Sequence, residues 1–139
     1  MVYNHFARLF RLSIASGIPL ILERGPWSSE VFTRSGFDSG NLNKTDFRAL
    51  MSLIKGLPRP ALVVYINTPA QVCLERNRER CRINTYESKI GLGYLQHLEK
   101  FHQIVVKPVA VEVDGARDRL DVLADVHKVI ARVWAQWTG

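Results

Sequence analysis

Short apolar runs that alternate with helical patterns are the feature that most restricts the fold of this chain. The runs "IPLILER", "PALVVYINTPAQV" and "KPVAVEVDG" contain almost uninterrupted apolar stretches. Continuous apolar strands without polar alternation are typical of parallel sheets that helices cover on both faces. The pattern therefore predicts an α/β fold, a three-layer sandwich around a parallel sheet.

The most informative local pattern is the junction that follows the second apolar run. Asn67 ends the predicted strand, and Thr68 and Pro69 suit the N-cap and the first helical position. Gln71 stands three residues after Thr68, which is the spacing of a capping box. The junction predicts a strand that ends at Asn67 and a helix that Thr68 caps.

Helical spacing of apolar residues predicts further helices along the chain. The first covers residues 2–16, and the first apolar run and a Gly/Ser-rich segment, 25–43, follow it. Thr45 is the expected N-cap of the next helix, which Gly56 ends. Another helix covers "GLGYLQHLEKFHQIVV", and the last carries a predicted buried stripe of Leu120, Leu123, Val126, Val129, Ile130, Val133 and Trp137.

Length and composition limit the class of protein. A chain of 139 residues, 47% of them hydrophobic, can bury one core, which predicts a single domain over residues 1–139. The apolar runs are too short to span a bilayer and no signal peptide is visible, so we expect a cytoplasmic protein with no membrane partner. Cys73 and Cys81 would lie about two turns apart on one helix, so both are expected to be free thiols.

Positive charge is concentrated in the stretch "CLERNRERCR", which has arginine at every second position from Arg76 to Arg82. The ordinary explanation for such a run is a solvated helix face, because Glu75 and Glu79 offset part of its charge. Arg76 and Arg80, however, share one face at i, i+4 spacing. Guanidinium groups in this arrangement can also clamp phosphate oxygens. The net charge of +6 agrees with an acidic ligand.

A second charged pair, Glu23 and Arg24, follows the first apolar run. It is either a surface ion pair or a functional pair in which the carboxylate holds Mg²⁺ and the arginine orients a substrate hydroxyl. Ligands of parallel sheets lie outside the carboxyl ends of the strands. Both this pair and the arginine run are predicted at that edge. The four histidines lie singly, without metal-binding spacing.

Two segments together resemble the deoxynucleoside kinases, the family of the deoxycytidine, deoxyguanosine and mitochondrial thymidine kinases. "PLILERGPWSSEVF" is similar to the family's Glu-Arg-Ser motif and the aromatic-rich helix start that follows it. "VVYINTPAQVCLERNRERCRINTYESKIGLGYLQHLEKFH" is similar to its strand, Pro-containing turn, arginine-bearing lid and Tyr-Leu-x-x-Leu helix. The resemblance covers most of the chain and implies a P-loop-kinase-like fold.

The resemblance implies roles for the charged residues. Glu23 matches the acid associated with Mg²⁺, and Arg24 matches the arginine near the substrate 5′-hydroxyl and the catalytic base. Arg80 and Arg82 match lid arginines that act in catalysis. The nucleoside triphosphate, ATP, is expected to contact Arg76, Arg80, Arg82 and Asp114.

The same resemblance implies which residues bind the acceptor nucleoside. Arg8 matches a base-site arginine of the deoxycytidine kinase branch, and Asn4 lies near it on the first helix. Ser29 stands where that branch has an aspartate, and Phe32 stands near its base-stacking phenylalanine. Glu87, counted back from Tyr-Leu-x-x-Leu, matches the lid glutamate that accepts the sugar 3′-hydroxyl. The preferred base stays open.

The chain also departs from the family pattern. The 139 residues contain no Gly-x-x-x-x-Gly-Lys-Ser/Thr motif, the P-loop whose amides bind the triphosphate. Gly25 replaces the family's serine. In the family's strand order, the first strand lies between those expected at 19–23 and 61–67. We therefore expect the carboxyl-terminal part of a deoxynucleoside kinase, from a truncated gene or a misassigned start, with the first strand and P-loop missing.

The functional hypothesis is ATP-dependent phosphorylation of a deoxynucleoside 5′-hydroxyl, with this chain alone inactive. A non-catalytic nucleoside-binding paralogue is one alternative. A nucleoside monophosphate kinase is another, in which Arg8 and Arg34 would hold the acceptor phosphate. Nucleic acid is not an expected partner, because glutamates dilute the basic run and no aromatic residues interleave it. The resemblance implies a homodimer.

Overall fold

The computed structural model describes residues 2–80 and 90–138 of the chain. It divides into two compact units, Met1–Pro60 and Ala61–Gly139, and each is described by itself. The expectation of one domain over the whole chain stays a prediction.

The first unit consists of three helices. They are α1, Val2–Ser16, α2, Pro26–Asp38, and α3, Lys44–Lys55. The bounds of α1 confirm the helix predicted over residues 2–16, and Gly17 ends it with a positive φ of 67°. A positive φ costs glycine little because it has no Cβ, so this residue suits the stop.

The strand predicted at residues 19–23 is wrong. Residues 18–22 have no regular structure, and Ile21 is 82% exposed. A strand exists only where a neighbouring strand exchanges backbone hydrogen bonds with it, and residues 2–60 contain no other strand. An apolar run therefore indicates that a segment can be buried in a sheet, but it does not supply the partner.

Helix α2 occupies most of the Gly/Ser-rich segment. Pro26 lies in its first turn, where the missing N–H costs nothing, and Val31 is fully buried. Helix α3 ends at Gly56 as predicted, but its N-cap is Asn43 and not Thr45. The Asn43 side chain accepts a hydrogen bond of 2.9 Å from the backbone N–H of Asp46, so it satisfies a donor of the first turn.

Helices α2 and α3 pack against each other and form the core of the first unit. Val31, Met51 and Ile54 are its buried apolar residues. The rings of Phe37 and Phe47 stack with centroids 4.4 Å apart and fix one end of the pair.

The second unit alternates strands and helices. In chain order it contains β1, Val64–Asn67; α4, Ala70–Arg80; α5, Leu92–Val105; a short 3-10 helix; β2, Val111–Asp114; and α6, Arg119–Thr138. The sequence patterns predict β1, α4, α5 and α6 at these places. They do not predict the 3-10 helix, Lys107–Val109, which shortens the third predicted strand.

Strands β1 and β2 form a parallel two-stranded sheet, with Val64 opposite Val111 and Asn67 opposite Asp114. Hydrogen bonds extend the pairing at both ends, from Val111 N–H to Val63 and from Gly115 N–H to Asn67. The parallel pairing confirms the α/β class, whereas the three-layer arrangement stays a prediction. Helix α4 packs against α5, and α6 packs against the strands.

The predicted capping box at the start of α4 is wrong. The Gln71 amide donates forward to Glu75 at 2.9 Å and does not reach back to Thr68. The backbone N–H of Ala70, the first residue of the helix, donates instead to the Glu99 carboxylate of α5 at 3.4 Å. A negative charge at this end of a helix is favourable because the backbone dipole is positive there.

The predicted buried stripe of α6 is only partly correct. Leu120 and Leu123 are exposed, at 72% and 48%. The next four members of the stripe, Val126, Val129, Ile130 and Val133, are half-buried. The side chain of Trp137 lies outside the described residues. In the described ranges, 2–80 and 90–138, no helix has the length and apolar character needed to cross a membrane.

Gly115→Ala should destabilise the second unit. A Cβ at position 115 would overlap Thr68 Oγ1, lie 2.7 Å from Ile66 Cγ2 and lie 3.2 Å from the Asn67 carbonyl oxygen. We expect a loss of about 1–3 kcal/mol in the free energy of unfolding, the usual cost of overpacking. Urea denaturation measures it.

Gly93→Ala is the matched control, because Gly93 lies in α5 and a Cβ added there would have no neighbouring atom within 4 Å. Alanine in a helix is more favourable than glycine by about 0.5–1 kcal/mol, so this variant should be slightly more stable. Equal effects of the two substitutions would contradict the close approach at Gly115.

Candidate functional site

The polar side chains at the carboxyl end of β1 form a network centred on Asn67. Its Oδ1 accepts hydrogen bonds from the Tyr65 hydroxyl at 3.1 Å and from the Gln103 amide at 3.3 Å. Its Nδ2 donates to Glu112 at 2.7 Å. The single amide of Asn67 therefore ties β1 to β2 and to α5.

Glu112 and Tyr65 are the titratable members of this network. Hydrogen bonds from Asn67 and Lys107, whose Nζ lies 3.2 Å from Glu112 Oε2, lower the pKa of the Glu112 carboxyl. Burial raises the pKa of Tyr65 to about 12, and the Glu99 and Glu112 carboxylates add to the shift. At neutral pH the network thus contains a carboxylate acceptor and a phenol donor.

Arg76, on α4, is bound by the loop that follows β2. Its guanidinium donates to the carbonyl oxygens of Gly115 at 2.7 Å, Ala116 at 3.3 Å and Arg117 at 3.0 Å. Three backbone acceptors on one guanidinium make a charge-assisted anchor. In this arrangement Arg76 fixes the loop against the helix.

The other arginines of the run differ from Arg76. Arg80 is exposed at the end of α4, and its guanidinium donates to Asn77 at 2.7 Å within the same helix. Arg78 is exposed as well. Arg82 and Glu87, the other predicted lid residues, lie outside the described residues. Their assigned roles stay predictions.

Asp114, predicted to contact the nucleotide, ends β2. Its Oδ1 accepts a hydrogen bond of 2.9 Å from the backbone N–H of Ala116, and its Oδ2 lies 3.7 Å from Arg117 Nε. Asp114 therefore shapes the same loop that Arg76 holds. A direct contact with the nucleotide stays a prediction.

Cys73 is a free, half-buried thiol on α4. Burial raises its pKa, although the neighbouring Arg76 lowers it. The thiol is therefore protonated at neutral pH and a poor nucleophile. Cys81, the second predicted free thiol, lies outside the described residues.

In the first unit the chain bends at Glu23 and Arg24. Arg24 has a positive φ of 57°, which is uncommon for a residue with a side chain. Its guanidinium carbon lies 5.9 Å from the centroid of the Phe32 ring on α2. The bend thus brings together two of the predicted site residues, a cation and an aromatic face, as a cation–π pair.

The same unit contains a second cation–π pair, which sequence reasoning does not find. The Arg59 guanidinium lies 4.5 Å from the Trp27 ring centroid. Trp27 Nε1 is buried and has no hydrogen-bond partner among the described residues. Trp27 stands out in the sequence because it follows the predicted strand end, whereas nothing in the pattern around Arg59 indicates that it contacts an aromatic ring.

The remaining predicted substrate residues lie on α1 and α2. Ser29 is half-buried in the first turn of α2, and its N–H donates to Gly25 at 3.4 Å. Arg8 is exposed on α1. Asn4 lies in the same helix, but its side chain is outside the described residues.

Glu23 is an exposed carboxylate at the bend. Mg²⁺ is commonly bound by one or two carboxylates together with phosphate oxygens of a nucleotide. A single exposed carboxylate fits that mode. Among residues 2–80 and 90–138, no group of three or more His, Cys, Asp or Glu side chains is placed to form a metal site without a nucleotide.

The sequence model of the deoxynucleoside kinase family matches residues 2–136. The match covers nearly the whole chain. It includes both the polar network around Asn67 and the bend at Glu23 and Arg24. This chain belongs to the deoxynucleoside kinase family, as the two motif segments predicted. No curated protein and no solved structure matches the chain significantly.

Arg76→Ala should destabilise the loop after β2, because it removes three charge-assisted hydrogen bonds. We expect a loss of about 1.5–3 kcal/mol in unfolding free energy, together with faster amide hydrogen exchange at residues 116 and 117. Arg78→Ala, an exposed arginine of the same helix, is the control. Unchanged exchange in the Arg76 variant would show that the anchor does not hold the loop.

Stability should fall between about pH 10 and about pH 12. The folded state keeps the Tyr65 proton above the usual pKa of 10.0, while the unfolded state loses it, so rising pH favours unfolding. Urea denaturation on both sides of this range, in the wild type and in Tyr65→Phe, measures the effect. The substitution should remove part of the loss; identical pH dependence in both proteins would contradict the raised pKa.

Proposed function

We propose that this chain supplies the acceptor-binding and lid parts of a kinase that transfers the γ-phosphoryl group of ATP to the 5′-hydroxyl of a deoxynucleoside. The observation that carries the proposal is the family match over residues 2–136. The bend at Glu23 and Arg24, which holds a cation against an aromatic ring, supports it within the first unit.

On the acceptor side, Phe32 offers an aromatic face for a base, since its ring is partly exposed at 39%. Arg24 would orient the 5′-hydroxyl, because a guanidinium presents several donors in fixed directions. Ser29, Arg8 and Asn4 would contact the base, and Glu87 the sugar 3′-hydroxyl. Positioning of this kind supplies much of the rate enhancement in phosphoryl transfer.

On the donor side, Arg80 and Arg82 would bind phosphate oxygens, where charge spreads during transfer. Arg80 is exposed and bonded only within its own helix in the described structure, so its guanidinium can turn towards a ligand. Arg76 and Asp114 would act on the nucleotide through the loop that both of them shape. Glu23 would hold Mg²⁺, which neutralises charge on the phosphates when bound.

A second candidate function is nucleoside binding without turnover. The P-loop motif does not occur in the 139 residues, and this motif supplies the amides and lysine that hold the triphosphate. A monophosphate kinase is less favoured, because Arg34, one of the arginines it would use, already pairs with Glu30 at 2.7 Å. The homodimer and the cytoplasmic location stay predictions.

The direct test is a phosphoryl-transfer assay in which the chain is joined behind the P-loop segment of a family member. With Mg²⁺, labelled ATP and each of the four deoxynucleosides, we expect a labelled 5′-monophosphate. Arg80→Ala should lower turnover by roughly 10² or more, as loss of a preorganised donor does. The matched control, Arg78→Ala, should change it little.

The 139-residue chain alone is the baseline, and it should give no product without the amide cradle. Nucleoside binding with no product from the joined protein would support the non-catalytic candidate. Equal losses of turnover from Arg78→Ala and Arg80→Ala would indicate that the arginine run is only a solvated helix face.

A further inference from the structure

An open cavity of about 400 Å³ lies between α2 and α3, within the first unit. None of its lining residues belongs to the acceptor or lid sets of the proposed deoxynucleoside kinase, although Arg34 is one of the arginines that the monophosphate kinase alternative would use. We call it the basic groove, and it is lined by Arg34, Phe47, Arg48, Met51, Ser52 and Lys55.

The basic groove carries positive charge that nearby acids do not neutralise. Arg34 pairs with Glu30 at 2.7 Å, so its charge is offset within α2. Arg48 and Lys55 are exposed, and the described part of the first unit provides neither with an ion pair or a hydrogen bond. Two cations on one helix thus remain available to an anionic partner.

The floor of the groove is apolar and well supported. Met51 is only 8% exposed, and the ring of Phe47 is stacked on Phe37. Such a floor between cations suits a ligand that presents apolar side chains and acidic groups together. A fully hydrated inorganic anion would leave this apolar surface uncovered.

The distance between Arg48 and Lys55 indicates how long a ligand must be to contact both. Arg48 and Lys55 are seven residues apart on α3, so they lie about two turns, or about 10 Å, from each other along the axis. One phosphate group is too small to contact both. A second helix with carboxylates seven residues apart has the same spacing and can present apolar residues between them.

We propose that the basic groove is the docking site for an acidic amphipathic helix of another protein. A second copy would present its own Arg48 and Lys55 at the same surface, so a contact between two grooves would bring like charges together. Carboxylates paired with Arg48 and Lys55 would align the axis of the partner helix with α3. The proposal does not depend on the kinase function proposed above.

The test uses the full 139-residue chain and a fluorescent helical peptide of about 15–20 residues, with glutamates seven apart and leucines between them. Anisotropy should show saturable binding that weakens as salt is added. The matched peptide, with lysine in place of each glutamate, should not bind. Amide NMR shifts on peptide addition should be concentrated in residues 30–34 and 47–55.

Arg48→Glu/Lys55→Glu should weaken binding of the acidic peptide by at least about tenfold, because like charges then face each other. The same variant should gain affinity for the lysine peptide. Lys44→Glu is the matched control, since Lys44 is exposed on α3 but does not line the groove, and it should change binding little. Far-UV circular dichroism confirms that each variant keeps its helices.

Several results would overturn the proposal. One is absence of binding by the acidic peptide, and another is an equal loss in the control variant. Competition by inorganic pyrophosphate with shifts at the same amides would assign the groove to a small anion. Self-association of the chain that Arg48→Glu/Lys55→Glu abolishes would assign it to a second copy.

Discussion

The hydrogen bonding of Asn67 is the constraint on which the arrangement of the second unit depends. Its side chain accepts from Tyr65 and Gln103 and donates to Glu112, while its backbone carbonyl accepts from Gly115. A two-stranded parallel sheet has few backbone bonds of its own, so such side-chain ties carry much of its geometry. The Asn67 side chain thus supports the register that the backbone pairing sets, and Arg76 and Asp114 then hold the loop after β2.

The two units place their arginines in different surroundings. In Met1–Pro60, guanidinium groups lie against aromatic rings, Arg24 against Phe32 and Arg59 against Trp27. In Ala61–Gly139, arginine is bound to backbone carbonyls or exposed at a helix end. Under the function proposed above, the first arrangement would serve the base and the second the phosphates.

Sequence reasoning succeeded where the determinants are local and failed where they come from distant residues. The end of β1 at Asn67 and the helices α1, α4, α5 and α6 follow from apolar periodicity and turn chemistry. The cap of α4 does not, since Glu99 provides it from another helix. The segment at 18–22 has the composition of a strand but no partner strand in its unit. For the candidate site, the family resemblance singled out Arg24 and Phe32, which lie together as a cation–π pair, and their roles stay predictions. The contacts of Arg76 and Arg59 are tertiary and leave no local pattern.

The anchor formed by Arg76 has a consequence for how the loop after β2 can change during evolution. All three of its acceptors are main-chain carbonyls, which every amino acid possesses. The anchor therefore places no demand on the side chains at positions 116 and 117, although Arg117 also pairs with Asp114 and Asp125. Position 115, by contrast, is restricted to glycine by its neighbours. Divergent relatives can therefore have the same loop conformation with different amino acids at positions 116 and 117. Sequence alignment alone would underestimate the structural similarity of such relatives.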